Sequence, residues 1–116
     1  MMKNKLTLKK YKISDLKQHL SLLIMNNVHK IINSEIKENE QKWLKKSIEN
    51  YKKQKPNFFV LAICVSGKVI GNVIIEKINY SKKVGNIGYW IGKKWWQKNY
   101  PTMALKLFLK RVSEAP

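Results

Sequence analysis

A chain of 116 residues, 44% of them hydrophobic, has the length of one domain and enough apolar content for a real core. Its four Trp, five Tyr and three Phe argue against disorder, and a net charge of +17 directs it toward anionic partners: nucleic acid, phosphorylated cofactors or acidic proteins. Nearly all of that charge is lysine, with Arg111 the one arginine, so the side chain whose fork fits phosphates and guanine edges is almost absent and the charge reads first as a lysine-coated surface.

The start, Met1 to Lys10, is polar and basic and lacks the apolar stretch of a signal peptide. No segment is long enough to span a bilayer, so the expected compartment is the cytoplasm. Cys64 is the single cysteine, which excludes an intrachain disulfide. It lies in an apolar run and reads as a small buried hydrophobe rather than a catalytic thiol. His19 and His29 have no Cys, Asp or His at ligand spacing, so no metal site is expected.

Leu6 and Leu8 alternate with polar residues, which predicts a short strand over Lys5 to Lys10. Ser14 is a candidate helix cap with Asp15 in the first turn. Leu16, Leu20, Leu23, Ile24, Val28 and Ile31 then recur at helical spacing and predict a helix to about Lys30. A second helix is expected from about Asn39 or Glu40, with Trp43, Leu44, Ser47, Ile48 and Tyr51 on its inner face and Pro56 ending it.

The pattern changes at Phe58. Phe58 to Val65 is an unbroken apolar run with β-formers, the signature of a buried strand. Ser66-Gly67 is a two-residue hairpin signal, with Val69 to Ile78 as the partner strand. Asn79 to Lys83 is a polar turn and Val84 to Ile91 a third strand. Gly85, Gly88 and Gly92 in or beside that strand suggest a bulge or a close backbone approach. Thr102 to Val112 is helical, with Leu105, Leu107, Phe108, Leu109 and Val112 at its apolar positions. The expected fold class is α/β (α+β), in the order β-α-α-β-β-β-α with an antiparallel meander, built as one domain over 1–116.

The informative segment runs from Gly88 to Leu105: a strand, a tight basic loop and a helix start. Such a loop points backbone N–H groups and a positive helix dipole at one spot, and Lys93, Lys94 and Lys98 add charge. A pyrophosphate is the natural occupant. Asn86-Ile87-Gly88-Tyr89-Trp90-Ile91, then Trp96-Gln97-Lys98-Asn99-Tyr100-Pro101, then Thr102-Met103-Ala104-Leu105, resembles the cofactor motif of GNAT N-acetyltransferases. The likeness is greatest to the RimJ/RimL-like subgroup that acetylates N-termini of ribosomal proteins. Gly67-Lys68-Val69-Ile70-Gly71 resembles the family's hairpin between its second and third strands.

The resemblance implies acetyl-coenzyme A (acetyl-CoA) as cofactor and acetyl transfer to an amine, a protein N-terminus or a small molecule, by direct attack on the thioester. The strand backbone near Trp90, Ile91 and Gly92 would pair with the pantetheine arm. N–H groups from Gln97, Lys98, Asn99 and Tyr100, and the first turn at Thr102, would hold the pyrophosphate. No catalytic residue is assigned. Three positions depart from the family pattern. Asn99 stands where the family has Gly, and Asn tolerates a left-handed backbone. Pro101 suits a first helical turn but removes one N–H. Asn86 stands where many relatives carry a Glu, and it cannot accept a proton.

The family continues beyond the last helix with a further strand, helix and strand, so the resemblance implies a C-terminally truncated domain, an open sheet edge that invites a homodimer, and slow transfer at best. Two alternatives stay open: a nucleic-acid-binding module using the Lys93–Lys98 stretch and its tryptophans, and a non-functional remnant.

Overall fold

The structure is a computed structural model that describes residues 5–25, 33–96 and 99–113. Four strands form one antiparallel sheet in the order β1 (Leu6–Lys9), β2 (Phe58–Val65), β3 (Lys68–Asn79), β4 (Val84–Ile91). Helices α1 (Leu16–Met25) and α2 (Ser34–Asn50) precede β2, and α3 (Tyr100–Ser113) follows β4. The predicted meander is present, and β1 extends it by pairing beside β2.

The unbroken apolar run of β2 has a simple cause. Its alternate residues serve two cores, one on each side of the sheet. Leu61, Ile63 and Val65 face a core with Leu6, Val73, Ile91, Tyr100, Ala104 and Phe108, closed by α3. Val60, Ala62 and Cys64 face a second core with Tyr11, Leu22 and Leu44, closed by α1 and α2. The hairpin after β2 is the predicted two-residue turn, with Ser66 and Gly67 both at positive φ (52° and 80°), which matches the twist of the flanking strands.

The extra residues of both bulges lie in β3, and the second bulge sits opposite Gly85, where an added Cβ would lie 3.0 Å from the Ile75 side chain. One register shift falls where Ile63 pairs with Gly71 and Cys64 with Val69, and another between Glu76 and Asn79, where Lys77 takes φ 51°. The close backbone approach is at Gly71. A Cβ there would run into the Trp90 carbonyl oxygen and lie 2.8 Å from Ile91 Cα. Gly88, by contrast, has no neighbour closer than 3.9 Å.

The helix ends differ from the sequence expectation for local reasons. Ile13–Asp15 forms a 3-10 turn, so Ser14 lies inside it instead of capping a helix. Lys12 is the N-cap, and Asp15, the third residue of the turn, reaches back so that its carboxylate accepts the Lys12 N–H at 2.8 Å and the Lys9 ammonium at 2.7 Å. Helix α2 starts earlier than Asn39, because the Asn33 side chain accepts the Ile36 N–H at 2.8 Å. Its first turns are polar and solvent-facing, so no apolar stripe marked them. It ends at Asn50, well before Pro56. Ile24, Leu107 and Leu109 were placed on apolar stripes but are exposed, while Leu22, Ala104 and Tyr100 are buried. Val28 and Ile31 lie outside the described residues.

Polar ties hold the helices to the sheet and to each other. The Tyr51 hydroxyl donates to the Val60 carbonyl at 2.6 Å and accepts the Tyr11 N–H at 2.9 Å. His19 Nε2 lies 3.0 Å from Glu40 Oε1, and its ring stacks on Trp43 with centroids 5.3 Å apart, which fixes α1 against α2.

Burial pushes the Tyr11 phenol well above its ordinary range. The Asn72 side chain is close enough to temper the shift, yet the hydroxyl completes no hydrogen bond within 3.5 Å. Burial also raises Tyr51 and Cys64. A folded state that holds its protons more tightly than the unfolded chain keeps that stability below the unfolded pKa and loses it as pH rises through the folded value. The wild type is therefore expected to lose melting temperature relative to Tyr11→Phe between about pH 9 and 11. Parallel melting curves across that window would contradict the burial of this phenol.

Candidate functional site

The site is built where β4 ends. β4 is the last strand of the sheet among the described residues, and its outer edge has no strand beside it. Gly92 donates its N–H to the Ile70 carbonyl at 2.8 Å, which ties the strand end to β3. The chain then turns through a 3-10 segment, Lys93–Trp95, closed by Trp95 N–H to Gly92 O at 2.9 Å. Trp96 follows, and its indole N–H folds back to donate to the Ile91 carbonyl at 2.6 Å. After 97–98, which lie outside the described residues, Asn99 adopts φ 60° and its carbonyl accepts the Met103 N–H at 3.2 Å. Asn99 thus takes the left-handed backbone that its replacement of glycine requires, and α3 begins at Tyr100.

These pieces enclose a cleft of about 420 Å³ lined by Tyr89, Trp90, Ile91, Trp96 and Pro101. A larger hollow of about 500 Å³ lies at the other end of β3, between Lys55, Phe58, Glu76 and Tyr80. The Tyr80 hydroxyl there is bonded to the Pro56 carbonyl at 2.7 Å, and the remaining walls mix Lys55, Asn57, Glu76 and Lys77 with Phe58 and Ile78. The smaller cleft is the candidate site, because a strand edge and a helix start converge on it.

The structure sorts the sequence-derived residues by what they offer. Ile91 and Tyr100 bury their side chains in the α3-side core, and Gly92 is buried at the strand end. Trp90 packs against the opposite core and shows one side to the cleft. Asn99 and Thr102 are exposed at the start of α3. Gln97 and Lys98 lie outside the described residues. Pro101 occupies the second position of α3, so the first turn offers the N–H groups of Tyr100 and Thr102 and none between them. Lys93 and Lys94 are exposed beside the cleft, with the Lys94 ammonium 5.5 Å from the Trp95 ring centroid.

Three lining residues, Tyr89, Trp96 and Pro101, are not among the sequence-derived candidates. The signal for Trp96 was the Trp95-Trp96 pair itself: a tight loop has room to bury one indole, and Trp95 is the half-buried member. Asn86 is exposed and faces Glu76 across the β3–β4 ladder, so Glu76 is the carboxylate that the sheet sets beside it. Among the described residues, no group of three or more His, Cys, Asp or Glu could hold a metal ion. No described helix is long and apolar enough to cross a membrane.

Solved structures share this architecture. The microcin C7 self-immunity acetyltransferase MccE, solved in complex with acetyl-CoA and AMP, superposes with a TM-score of 0.77 at 20% identity, covering 96% of this chain and 65% of that one. The ribosomal-protein alpha-N-acetyltransferase RimL in complex with coenzyme A gives 0.77 at 17% identity, covering 91% and 62%. A Salmonella typhimurium acetyltransferase that modifies the N-terminal serine of a 50S ribosomal subunit protein gives 0.78 at 17% identity, covering 93% and 63%. The chain thus spans less than two thirds of the length of these three structures. No curated protein matches the sequence. The model of the acetyltransferase (GNAT) domain matches residues 5–116. With that match over the strand, loop and helix that build the cleft, the chain belongs to the GNAT acetyltransferase family.

Proposed function

We propose that this chain binds acetyl-CoA along the outer edge of β4 and at the start of α3, and presents the acetyl group to an amine. The observation that carries this reading is the cleft between Tyr89–Ile91, Trp96 and Pro101, where an unpaired strand edge meets a helix N-terminus. The residues fit the cofactor. An amide-bearing arm suits a strand edge, whose outward backbone groups pair with it as a neighbouring strand would. Phosphates suit the left-handed Asn99, the N–H groups of Tyr100 and Thr102, and nearby Lys93 and Lys94. In this reading Tyr89 and Ile91 present the strand edge to the arm, Trp90 stands in the cleft wall and Gly92 is turned to β3; Asn99, Tyr100 and Thr102, with the loop residues Gln97 and Lys98, make the phosphate side of one domain spanning 1–116 that works in the cytoplasm. When bound, the cofactor supplies the activated acetyl group. The chain's own residues position it, and Asn86 takes no proton from the incoming amine.

Protein N-termini are the acceptors favoured by the resemblance to RimL and the Salmonella enzyme, whose coenzyme complex and N-terminal serine substrate are their own. Nucleic acid is disfavoured on geometry. Trp90 and Trp95 pack against the cores, and the exposed rings of Tyr89 and Trp96 both line the cleft instead of forming a separate stacking platform for bases.

The test pairs two measurements. Calorimetry with coenzyme A should give saturable binding that weakens as salt rises, since phosphates supply much of the attraction. Thiol release from acetyl-CoA should appear with short peptides bearing a free N-terminus and not with N-terminally blocked ones. A folded sample with no heat of binding and no thiol release would overturn the proposal.

A further inference from the structure

Resting on the coenzyme reading above, we infer that Trp96 is a positioning residue: its indole, pinned to the Ile91 carbonyl, closes the last rung of the β4 edge and seats the ligand's amide arm in a single register. Antiparallel pairing turns both backbone groups of alternate residues toward the same neighbour. Gly92 donates to Ile70 and so faces β3, while the Trp90 carbonyl crowds Gly71 on that same side. The groups of Tyr89 and Ile91 therefore face outward. Of these, the Ile91 carbonyl accepts the Trp96 indole N–H at 2.6 Å. A ligand arm laid along this edge finds the Ile91 N–H and both Tyr89 groups, and it cannot slide one rung further.

The cost of holding the indole there points the same way. Trp96 is 57% exposed, although an indole gains most from burial. Its neighbour Trp95 is packed against both cores. The Trp96 ring instead forms a wall of the cleft beside Pro101, held by one short hydrogen bond in place of core packing. Its exposed face is the surface an arm would lie on. A wall fixed before binding spares the ligand the entropy of ordering it.

Trp96→Phe keeps an aromatic ring but loses the bond that pins it. An exposed side chain can be changed this way without unfolding the protein, and an unaltered melting curve serves as the control. The variant is expected to bind coenzyme A about 3- to 10-fold more weakly. Binding of 3′,5′-ADP, which has phosphates and no arm, should stay within about twofold. In the wild type, the Trp96 indole proton (assigned as the one missing from the variant) should exchange with solvent at least about 3-fold more slowly once coenzyme A is bound. Equal or tighter coenzyme A binding by Trp96→Phe, or faster indole exchange in the complex, would overturn the inference and show the indole to be an obstacle that the arm displaces; the proposed function would stand. Failure of the wild type to bind either ligand would overturn both.

Discussion

Phe108→Ala is expected to lower the unfolding free energy by about 3–5 kcal/mol. Phe108 is the largest fully buried side chain and the centre of the α3-side core. Its ring lies 6.2 Å from that of Phe59, which in turn meets Tyr51 edge-on at 5.6 Å. Removing it takes away both the transfer energy of the ring and its contacts with β1, β2 and β3, and the surrounding strands are paired too rigidly to refill the space. A domain of this size has about 5–15 kcal/mol in total, so the loss removes a large share. Urea unfolding followed by far-ultraviolet circular dichroism measures it. A loss under about 1.5 kcal/mol would mean that α3 is not seated on the sheet as described.

Gly71→Ala is expected to cost about 3 kcal/mol, near the upper end of what overpacking does. The new methyl meets the Trp90 carbonyl and the Ile91 Cα, both backbone atoms, so no side chain can swing aside to admit it. Either β3 or the end of β4 has to move. Because Trp90 and Ile91 line the cleft, a shift of their backbone should also weaken coenzyme A binding, whereas Phe108→Ala, on the inside of α3, should act mainly on stability. Gly88→Ala makes a local control, since its Cβ would meet nothing closer than 3.9 Å. Equal stability of the two glycine variants would contradict the register of β3 against β4.

Much of the fold was legible in the sequence because strands announce themselves strongly. Phe58–Val65 and Val84–Ile91 coincide with their predicted bounds, since an apolar run and a Ser-Gly turn leave few alternative registers. Helix faces were read less well. Of the predicted α3 stripe, Phe108 is buried and Leu105 and Val112 pack against the core, while Leu107 and Leu109 are exposed and Tyr100 and Ala104 take their place against the sheet. A stripe shows that a helix is amphipathic, and only the packing partner decides which edge of the stripe is covered.

The site was legible as a segment but not as a surface. Gly88 to Leu105 stood out through its strand-loop-helix order, and the left-handed turn at Asn99 followed from the side chain's tolerance of positive φ. What the sequence could not show is which backbone groups face outward, because that depends on the pairing partner. Gly92 looks as available as Ile91 until its N–H is seen on Ile70. The bond from Trp96 to Ile91 closes a loop between residues five apart and has no periodic signature.

The proposed coenzyme site is formed by the β4 edge and the start of α3 together. The most direct test is titration of isotopically labelled protein with coenzyme A, followed by amide resonances. The account predicts saturable shifts at Tyr89, Ile91, Tyr100 and Thr102, with Val84 and the far end of β3 unmoved. Shifts confined to the hollow around Lys55, Glu76 and Tyr80, or scattered over the lysine-rich surface without saturation, would contradict it.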